Sequence, residues 1–237
     1  MSNSKALVVL SGGLDSTSAL VLAMAEYSEV HAITYYYGQK QSQEIEMAKR
    51  TCQQLGVKHS VVDITFLGDI AKPFSANISG SDITMPTITD VLGEPQPVTY
   101  VPNRNMILLS IAASYAEVNK IDTVICGFQS NDTYGYHDTT ENFLDKINDV
   151  LQENRTWTIT VKAPFVNMSK YDEITQVVRM TGSTDVFKNT LTCYNPSADS
   201  VSGEPVSCGV CPSCTERLSA FQQAGLVDPI KYAEGVV

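Results

Sequence analysis

Residues 6–17 read Ala6-Leu-Val-Val-Leu10-Ser11-Gly-Gly-Leu-Asp-Ser-Thr17. The first five form a short apolar run of the kind that fills a parallel strand buried on both faces. The next seven put two glycines and three hydroxyl residues ahead of Leu20, Ala23, Met24 and Tyr27, which fall at helical spacing. A strand, a glycine turn and a helix in that order build an anion site. Free backbone N–H groups and the positive end of the helix dipole converge at the helix start. Gly12 and Gly13 let the backbone approach an anion with no Cβ in the way. The hydroxyls of Ser11, Ser16 and Thr17 are donors for phosphate oxygens. Asp15 is no direct phosphate donor, and its expected role is to hold Mg²⁺ or to accept loop N–H bonds.

No Gly-Lys-Ser/Thr follows, which excludes a Walker loop, and the Gly-x-Gly-x-x-Gly dinucleotide fingerprint is absent. Ser-Gly-Gly-x-Asp-Ser-Thr instead resembles the signature of the PP-loop ATP pyrophosphatases, which bind ATP and attach AMP to a carbonyl or amide oxygen. The resemblance implies ATP at Leu10, Ser11, Gly12, Gly13, Leu14, Asp15, Ser16 and Thr17. It leaves the branch open among GMP, asparagine and NAD synthetases and the tRNA-modifying members.

Outward from the loop, Val30-His-Ala-Ile-Thr34 reads as a second strand. Ile45, Ala48, Cys52 and Leu55 mark a helix that Gly56 ends, and His59 to Ile64 is a third strand. Strand and helix have then alternated twice, which predicts a doubly wound parallel α/β sheet. Residues 72–100 interrupt the rhythm with Pro73, Pro86, Pro95 and Pro97, and read as a lid or binding loop or as a solvated excursion with a short hairpin. Alternation resumes with a helix over Asn105 to Glu117 and a strand over Thr123 to Gly127. Phe143, Ile147, Val150 and Leu151 share a helix face, and Ser169 with Asp172 forms a capping box ahead of Ile174, Val177 and Val178. Gly182 is the expected stop, and after Thr190 the chain reads as loop. Cys52, Cys126, Trp157 and Tyr35 to Tyr37 read as core, and the histidines carry no signal.

With 237 residues the chain is expected to form one domain over 1–237, with a C-terminal extension over 190–237. Its 43% apolar and 18% charged residues make it globular rather than disordered. The net charge of −10, from 26 acidic against 16 basic residues, disfavours a polynucleotide surface and points to a small-molecule substrate. No apolar run has the length of a membrane span, and no secretory signal is seen at the N-terminus, so a cytoplasmic setting is expected.

Cys208-Gly-Val-Cys-Pro-Ser-Cys214 supplies three thiols at CxxC spacing, and Cys193 is the natural fourth ligand. Four thiolates suit tetrahedral Zn²⁺, with an iron–sulfur cluster as the alternative. Four protein ligands leave no open position, which favours a structural zinc.

A PP-loop at the N-terminus and a four-cysteine segment at the C-terminus, in a chain of this length, resemble the 7-cyano-7-deazaguanine synthase (QueC) family. The closing run from Cys208 to Ile230 is similar to that family nearly throughout. Further matches are Tyr37-Gly-Gln39 with Glu44, Tyr100-Val-Pro-x-Arg-Asn105, Ala163-Pro-Phe with Lys170, and Thr192-Cys-Tyr194. There are departures. The family's Asp-x-Ser-Gly-Tyr-Pro-Asp-Cys-Arg reads Asp132-Thr-Tyr-Gly-Tyr-His-Asp138-Thr-Thr140 here, and the usual Arg-His after Tyr-Gly-Gln is Lys40-Gln41.

The resemblance implies conversion of 7-carboxy-7-deazaguanine and ammonia to the nitrile with ATP, through adenylated intermediates, in a homodimer. It implies Asp15, Arg104 and Lys170 as catalytic residues, with Arg104, Asp132, Tyr136 and Asp138 on the substrate. The departures motivate an alternative, an enzyme that stops at the amide or joins the activated deazapurine to another amine. Further alternatives are a non-catalytic nucleotide-binding module and a tRNA sulfurtransferase. The intact loop opposes the first, and the acidic charge opposes the second.

Overall fold

The computed structural model describes residues 4–84, 97–129 and 136–236. A parallel sheet carries the fold: β1 (Lys5–Val9), β2 (Glu29–Tyr36), β3 (Lys58–Asp63), β4 (Thr123–Cys126) and β5 (Thr160–Lys162), in the order β3-β2-β1-β4-β5. Each neighbouring pair runs parallel. The helices are α1 (Leu14–Glu26), α2 (Gln43–Leu55), α3 (Thr65–Ala71), α4 (Arg104–Val118), α5 (Glu141–Gln152), α6 (Lys170–Thr181) and α7 (Pro212–Gln223).

The period-two alternation of the strands sorts the core onto two faces. Ala6 and Val8 of β1, Ala32 of β2 and Ile125 of β4 pack with Leu20 of α1, Ile174 and Val177 of α6, and Phe187. Leu7, Ile33, Tyr35, Val124 and Cys126 point the other way, onto Leu109, Ala112 and Ala116 of α4 and Leu144 of α5. The strands read as unbroken apolar runs because both faces are covered. Strand order reverses direction between β1 and β4, so the crevice at their C-terminal ends is where an open α/β sheet takes a ligand.

The helix boundaries follow local chemistry. Gly56 and Gly182 close α2 and α6 in left-handed backbone, with φ of 69° and 73°. Ser169 and Asp172 form a reciprocal capping box at the start of α6. The strand expected over Thr123–Gly127 ends at Cys126, and the helix expected from Asn105 begins at Arg104.

Three readings are corrected, and one helix is added. Val150 is 68% exposed, because α5 turns Phe143, Leu144, Ile147 and Leu151 inward instead. Met24 is also exposed, near the end of α1. Residues 65–71, between the third strand and the proline-rich stretch, form a short helix that buries Leu67 and Ala71 and leaves Phe66 and Ile70 exposed. The Cys-rich tail is not all loop: Cys211 caps α7, Pro212 opens it, and Ala220 and Phe221 join the sheet's core. Phe221 meets Phe187 edge to face, with ring centroids 5.8 Å apart. A small antiparallel pair, β6 (Ser197–Ala198) with β7 (Pro205–Val206), precedes that helix.

The proline-rich stretch folds back on the end of β2. Gln39 bridges antiparallel to Ile78, and the Ala76 N–H donates to Val98 O at 2.8 Å. The middle of that stretch, residues 85–96, lies outside the described residues, and with it the choice between a lid and a solvated excursion.

Candidate active site

A cavity of about 320 Å³ opens at the C-terminal ends of β1 and β4. Ser11, Gly13, Leu14, Asp15 and Ser16 form one wall, and Tyr37, Gln39, Glu44, Asn77 and Arg104 form another. The C-terminal segment closes it with Thr192, Cys193, Tyr194, Ser213 and Glu216.

The loop is held by its own hydroxyls. Ser11 N donates to Ser16 Oγ at 3.1 Å, Gly13 N donates to Ser11 Oγ at 3.2 Å, and Ser16 Oγ donates to Gly13 O at 3.2 Å. Gly12 has φ +95°, and a Cβ there would lie 2.0 Å from Glu44 O. Only glycine fits, and its absence of side chain lets the first turn of α2 press against the loop. Gly127 has the same function on the other side, since a Cβ would sit 2.7 Å from Ser16 N. Leu191 N donates to Gly12 O at 2.9 Å, which ties the C-terminal segment to the loop.

The expected ATP residues therefore divide. Leu10, Ser11, Gly13, Leu14, Asp15 and Ser16 line the cavity. Gly12 is wedged behind it. Thr17 is fully buried and its hydroxyl finds no partner among the described residues, so it faces the core rather than the cavity.

Lys170, the first residue of α6, pairs with Asp15 Oδ1. Burial opposes its charge, but Asp15, Glu173 and Glu216 outweigh burial and raise its pKa above the ordinary lysine value. It stays an ammonium at neutral pH. Glu173, one turn further along α6, is completely buried and accepts a hydrogen bond from Gln129 Nε2. Burial, then Asp15, push its carboxyl well above the usual range.

Arg104 opens α4, after Asn103 in left-handed backbone at φ 54°. Its Nη1 donates to Tyr37 Oη at 3.2 Å, and the guanidinium carbon lies 5.9 Å from the ring centroid. Burial works against its charge, and Tyr37, Asp138 and Tyr136 restore it. Asp138 is buried beside this group, and its backbone carbonyl accepts from Asn105 Nδ2 at 3.1 Å. Tyr136 Oη and Thr99 Oγ1 lie 2.6 Å apart. Neither Asp138 nor Tyr136 lines the cavity. Asp132 lies outside the described residues.

The Sγ atoms of Cys193, Cys208, Cys211 and Cys214 all lie within 4.8 Å of one another. Backbone N–H groups of Cys208 and Asn195 point at Cys193 Sγ at 3.3 and 3.4 Å, and that of Cys211 at Cys208 Sγ at 3.4 Å. Hydrogen bonding within the cluster pushes the Cys211 thiol's pKa down and those of Cys193 and Cys214 up. Four sulfurs within this range of one another suit a thiophilic ion, which takes the place of thiol protons. Cys193 also lines the cavity, so the cluster stands against the cavity rather than apart from it. Cys126 is a buried thiol at the cavity floor, consistent with the core reading. No histidine lines the cavity.

Some groups in the cavity wall or buried behind it gave no local signal in the sequence. Glu173 and Gln129 meet only through the fold, 44 positions apart. Glu216 and Arg217 sit on a helix not anticipated. Arg217 is 1% exposed and grips Asp228 with both Nε and Nη2, at 2.7 and 2.8 Å.

The protein family described as queuosine biosynthesis protein QueC matches residues 5–225. The 7-cyano-7-deazaguanine synthase of Pseudoalteromonas atlantica is 36% identical over 228 residues, covering 96% of this chain and 98% of that protein. That of Methanothermobacter thermautotrophicus is 36% identical over 234 residues, 97% of this chain and 100% of that protein. A solved 4-thiouridine synthetase in complex with RNA and ATP is similar with a TM-score of 0.51 at 16% identity, over 94% of this chain and 50% of that one. At that identity the likeness concerns the fold alone.

Proposed function

This chain belongs to the QueC family, and on that footing we propose that it converts 7-carboxy-7-deazaguanine and ammonia to 7-cyano-7-deazaguanine with ATP. The observation that carries the proposal is the cavity itself. One space joins a phosphate loop to two cations, Lys170 and Arg104, and to polar groups suited to a purine-like base.

The chemistry asks for such a space. A carboxylate resists ammonia because its oxygen leaves poorly. Transfer of AMP to that oxygen, with loss of pyrophosphate, gives an acyl adenylate that ammonia opens to an amide. A second adenylation, on the amide oxygen, lets that oxygen leave and the nitrile form. Charge accumulates on phosphate oxygens in both activations, and fixed donors in a partly dry site stabilise it.

In this reading the free N–H groups at the start of α1, with Ser11 and Ser16, hold the pyrophosphate, and Lys170 neutralises it. Arg104 faces the substrate carboxylate, beside Tyr37. Mg²⁺ brought with ATP would meet Asp15, which is 30% exposed at its side chain and faces the cavity, and it would draw charge off the phosphates. Zn²⁺ would be held by Cys193, Cys208, Cys211 and Cys214 and would brace the wall they form. The chain acts as one domain, with residues 190–237 completing it, because Phe221 shares the sheet's core.

The alternative enzyme, which stops at the amide or uses another amine, rests on the altered segment Asp132–Thr140, of which 136–140 are among the described residues. The described positions there have local roles. Thr140 Oγ1 accepts from Phe143 N at 3.2 Å as the cap of α5, Thr139 Oγ1 donates to Tyr136 O at 3.0 Å, and the His137 ring meets Tyr100. None of these three lines the cavity, which favours the nitrile, whereas Gln41, at the other departure, does line it.

A homodimer is part of the proposal. Phe66, Ile70 and Phe74 are 57%, 72% and 55% exposed at helical spacing, an apolar strip for a second copy to cover. No nucleic acid enters it, given the charge of −10. Among the described residues no helix is long and apolar enough to cross a membrane. The proposed setting is the cytoplasm, where ATP is available and thiols stay reduced. The test is to incubate the purified protein with Mg-ATP, ammonia and the acid. Nitrile with AMP is the expected product, whereas accumulating amide would favour the alternative.

A further inference from the structure

Nitrile formation moves protons as well as phosphates. When ammonia attacks the acyl adenylate, a C–N bond forms, the C–O bond to AMP breaks, and the nitrogen sheds a proton. After the second adenylation the amide nitrogen sheds two more: one leaves the protonated imidate, and the other leaves as the third C–N bond forms and AMP departs with its electron pair. Those protons need an acceptor at the nitrogen.

We propose that Glu44 is that acceptor, a catalytic base that takes the protons from nitrogen in both the amide-forming and the nitrile-forming step. The assignment rests on the reaction proposed above and goes beyond it.

Geometry singles Glu44 out. It lies in the first turn of α2, and its backbone oxygen presses on the phosphate loop at Gly12, where no Cβ fits. That contact fixes the residue beside the place where AMP must form and leave. Its side chain lines the cavity next to Tyr37, Asn77 and Arg104. The neighbouring Gln39 is already engaged: its Nε2 donates to Tyr35 O at 3.0 Å, and its Oε1 accepts from Tyr37 N at 2.9 Å. Among the described residues the Glu44 carboxyl receives only a long contact from that amide, at 3.5 Å. Its oxygens are thus available to a nitrogen in the cavity.

The other carboxylates of the cavity are committed. Asp15 pairs with Lys170, and Glu216 lies in the field of the same ammonium. Arg104 and Tyr37 are the charged and titratable groups that face Glu44. Burial pushes the Glu44 carboxyl up to about 7, against the lowering by Gln39 and Arg104. A base of that strength accepts a proton at neutral pH and returns it to solvent through the open cavity.

The test compares Glu44→Gln and Glu44→Asp with the unaltered full chain. Mg-ATP is supplied with the acid and ammonia, or with the 7-carboxamide alone, and pyrophosphate, amide and nitrile are followed separately. In Glu44→Gln, pyrophosphate release in the first turnover persists and KM for the acid changes less than about threefold. Nitrile formation falls by about 100-fold, within the range of a lost general base. The acidic limb of the kcat profile near pH 7 disappears in the same variant. Glu44→Asp keeps a carboxylate, and it recovers part of the rate and keeps the limb. An unchanged kcat, or a raised KM at full kcat, overturns the assignment, the latter by making Glu44 a binding residue. If the unaltered protein makes nitrile, those results bear on Glu44 alone. If it makes none, the proposed function fails and the assignment falls with it.

Discussion

Lys170 on α6 reaches Asp15 on the phosphate loop, 155 positions away, and sets a cation at the mouth of a helix N-terminus. A lysine at the start of a helix opposes that helix's own dipole. Here the side chain leaves α6 and enters the field of three carboxylates, Asp15, Glu173 and Glu216. The local cost is offset by a tertiary gain, and the outcome is a fixed ammonium beside the loop proposed to take the triphosphate.

Lys170→Met removes that charge and leaves Asp15 and buried Glu173 without it. Breaking such a pair from one side costs about 3–5 kcal/mol. Calorimetry should show a folded but weakened protein, and AMP formation should fall by at least about 100-fold, on the scale of a lost phosphoryl clamp. Full AMP formation by a folded Lys170→Met protein would remove the residue from the mechanism.

Gly12→Ala forces a Cβ to within 2.0 Å of Glu44 O, at a φ of +95°. Overpacking and backbone strain together cost about 3 kcal/mol. The loop and α2 must part, so ATP affinity should drop along with the melting temperature. Titration with ATP and a thermal melt of the same sample measure both.

Metal content should be one thiophilic ion per chain, and Cys211→Ser should lose it. Because Cys193 and Tyr194 line the cavity and Leu191 N holds Gly12 O, loss of the ion should weaken ATP binding as well as stability. Elemental analysis beside ATP titration checks this. Unchanged ATP affinity in a metal-free variant would mean that the wall stands without the ion.

The Glu44 carboxyl also leaves a mark on stability. Its pKa is raised from 4.5 to about 7 on folding, chiefly by burial. Between about pH 4.5 and pH 7 the folded chain keeps a proton that the unfolded chain has released, so stability falls as pH rises through that window. The melting temperature of the unaltered protein should decline relative to Glu44→Gln across it, and a flat difference would contradict the shift.

Much of this was legible in the chain. The run from Ala6 to Thr17 named the strand, the loop and the helix, because apolar continuity and glycine placement act within a dozen residues. Gly56, Gly182 and the pair Ser169 and Asp172 marked helix ends through local hydrogen bonding. The four cysteines announced their cluster by spacing. What stayed hidden depends on the whole fold. Thr17 belongs to the loop motif but turns into the core, since its place on α1 faces the sheet. Glu173 gives no local signal, and its burial against Gln129 exists only once α6 has docked. The helix over 212–223 was masked by its cysteines and proline, although Pro212 at the first helical position is a start signal.

The central claim is that one cavity activates the same carbon twice. It is tested most directly with the acid labelled with ¹⁸O in both carboxylate oxygens, supplied with Mg-ATP and ammonia. Each nitrile formed should be matched by two AMP molecules, each carrying one ¹⁸O, as read by mass spectrometry. Unlabelled AMP, or an amide that retains its ¹⁸O while no nitrile appears, would contradict it.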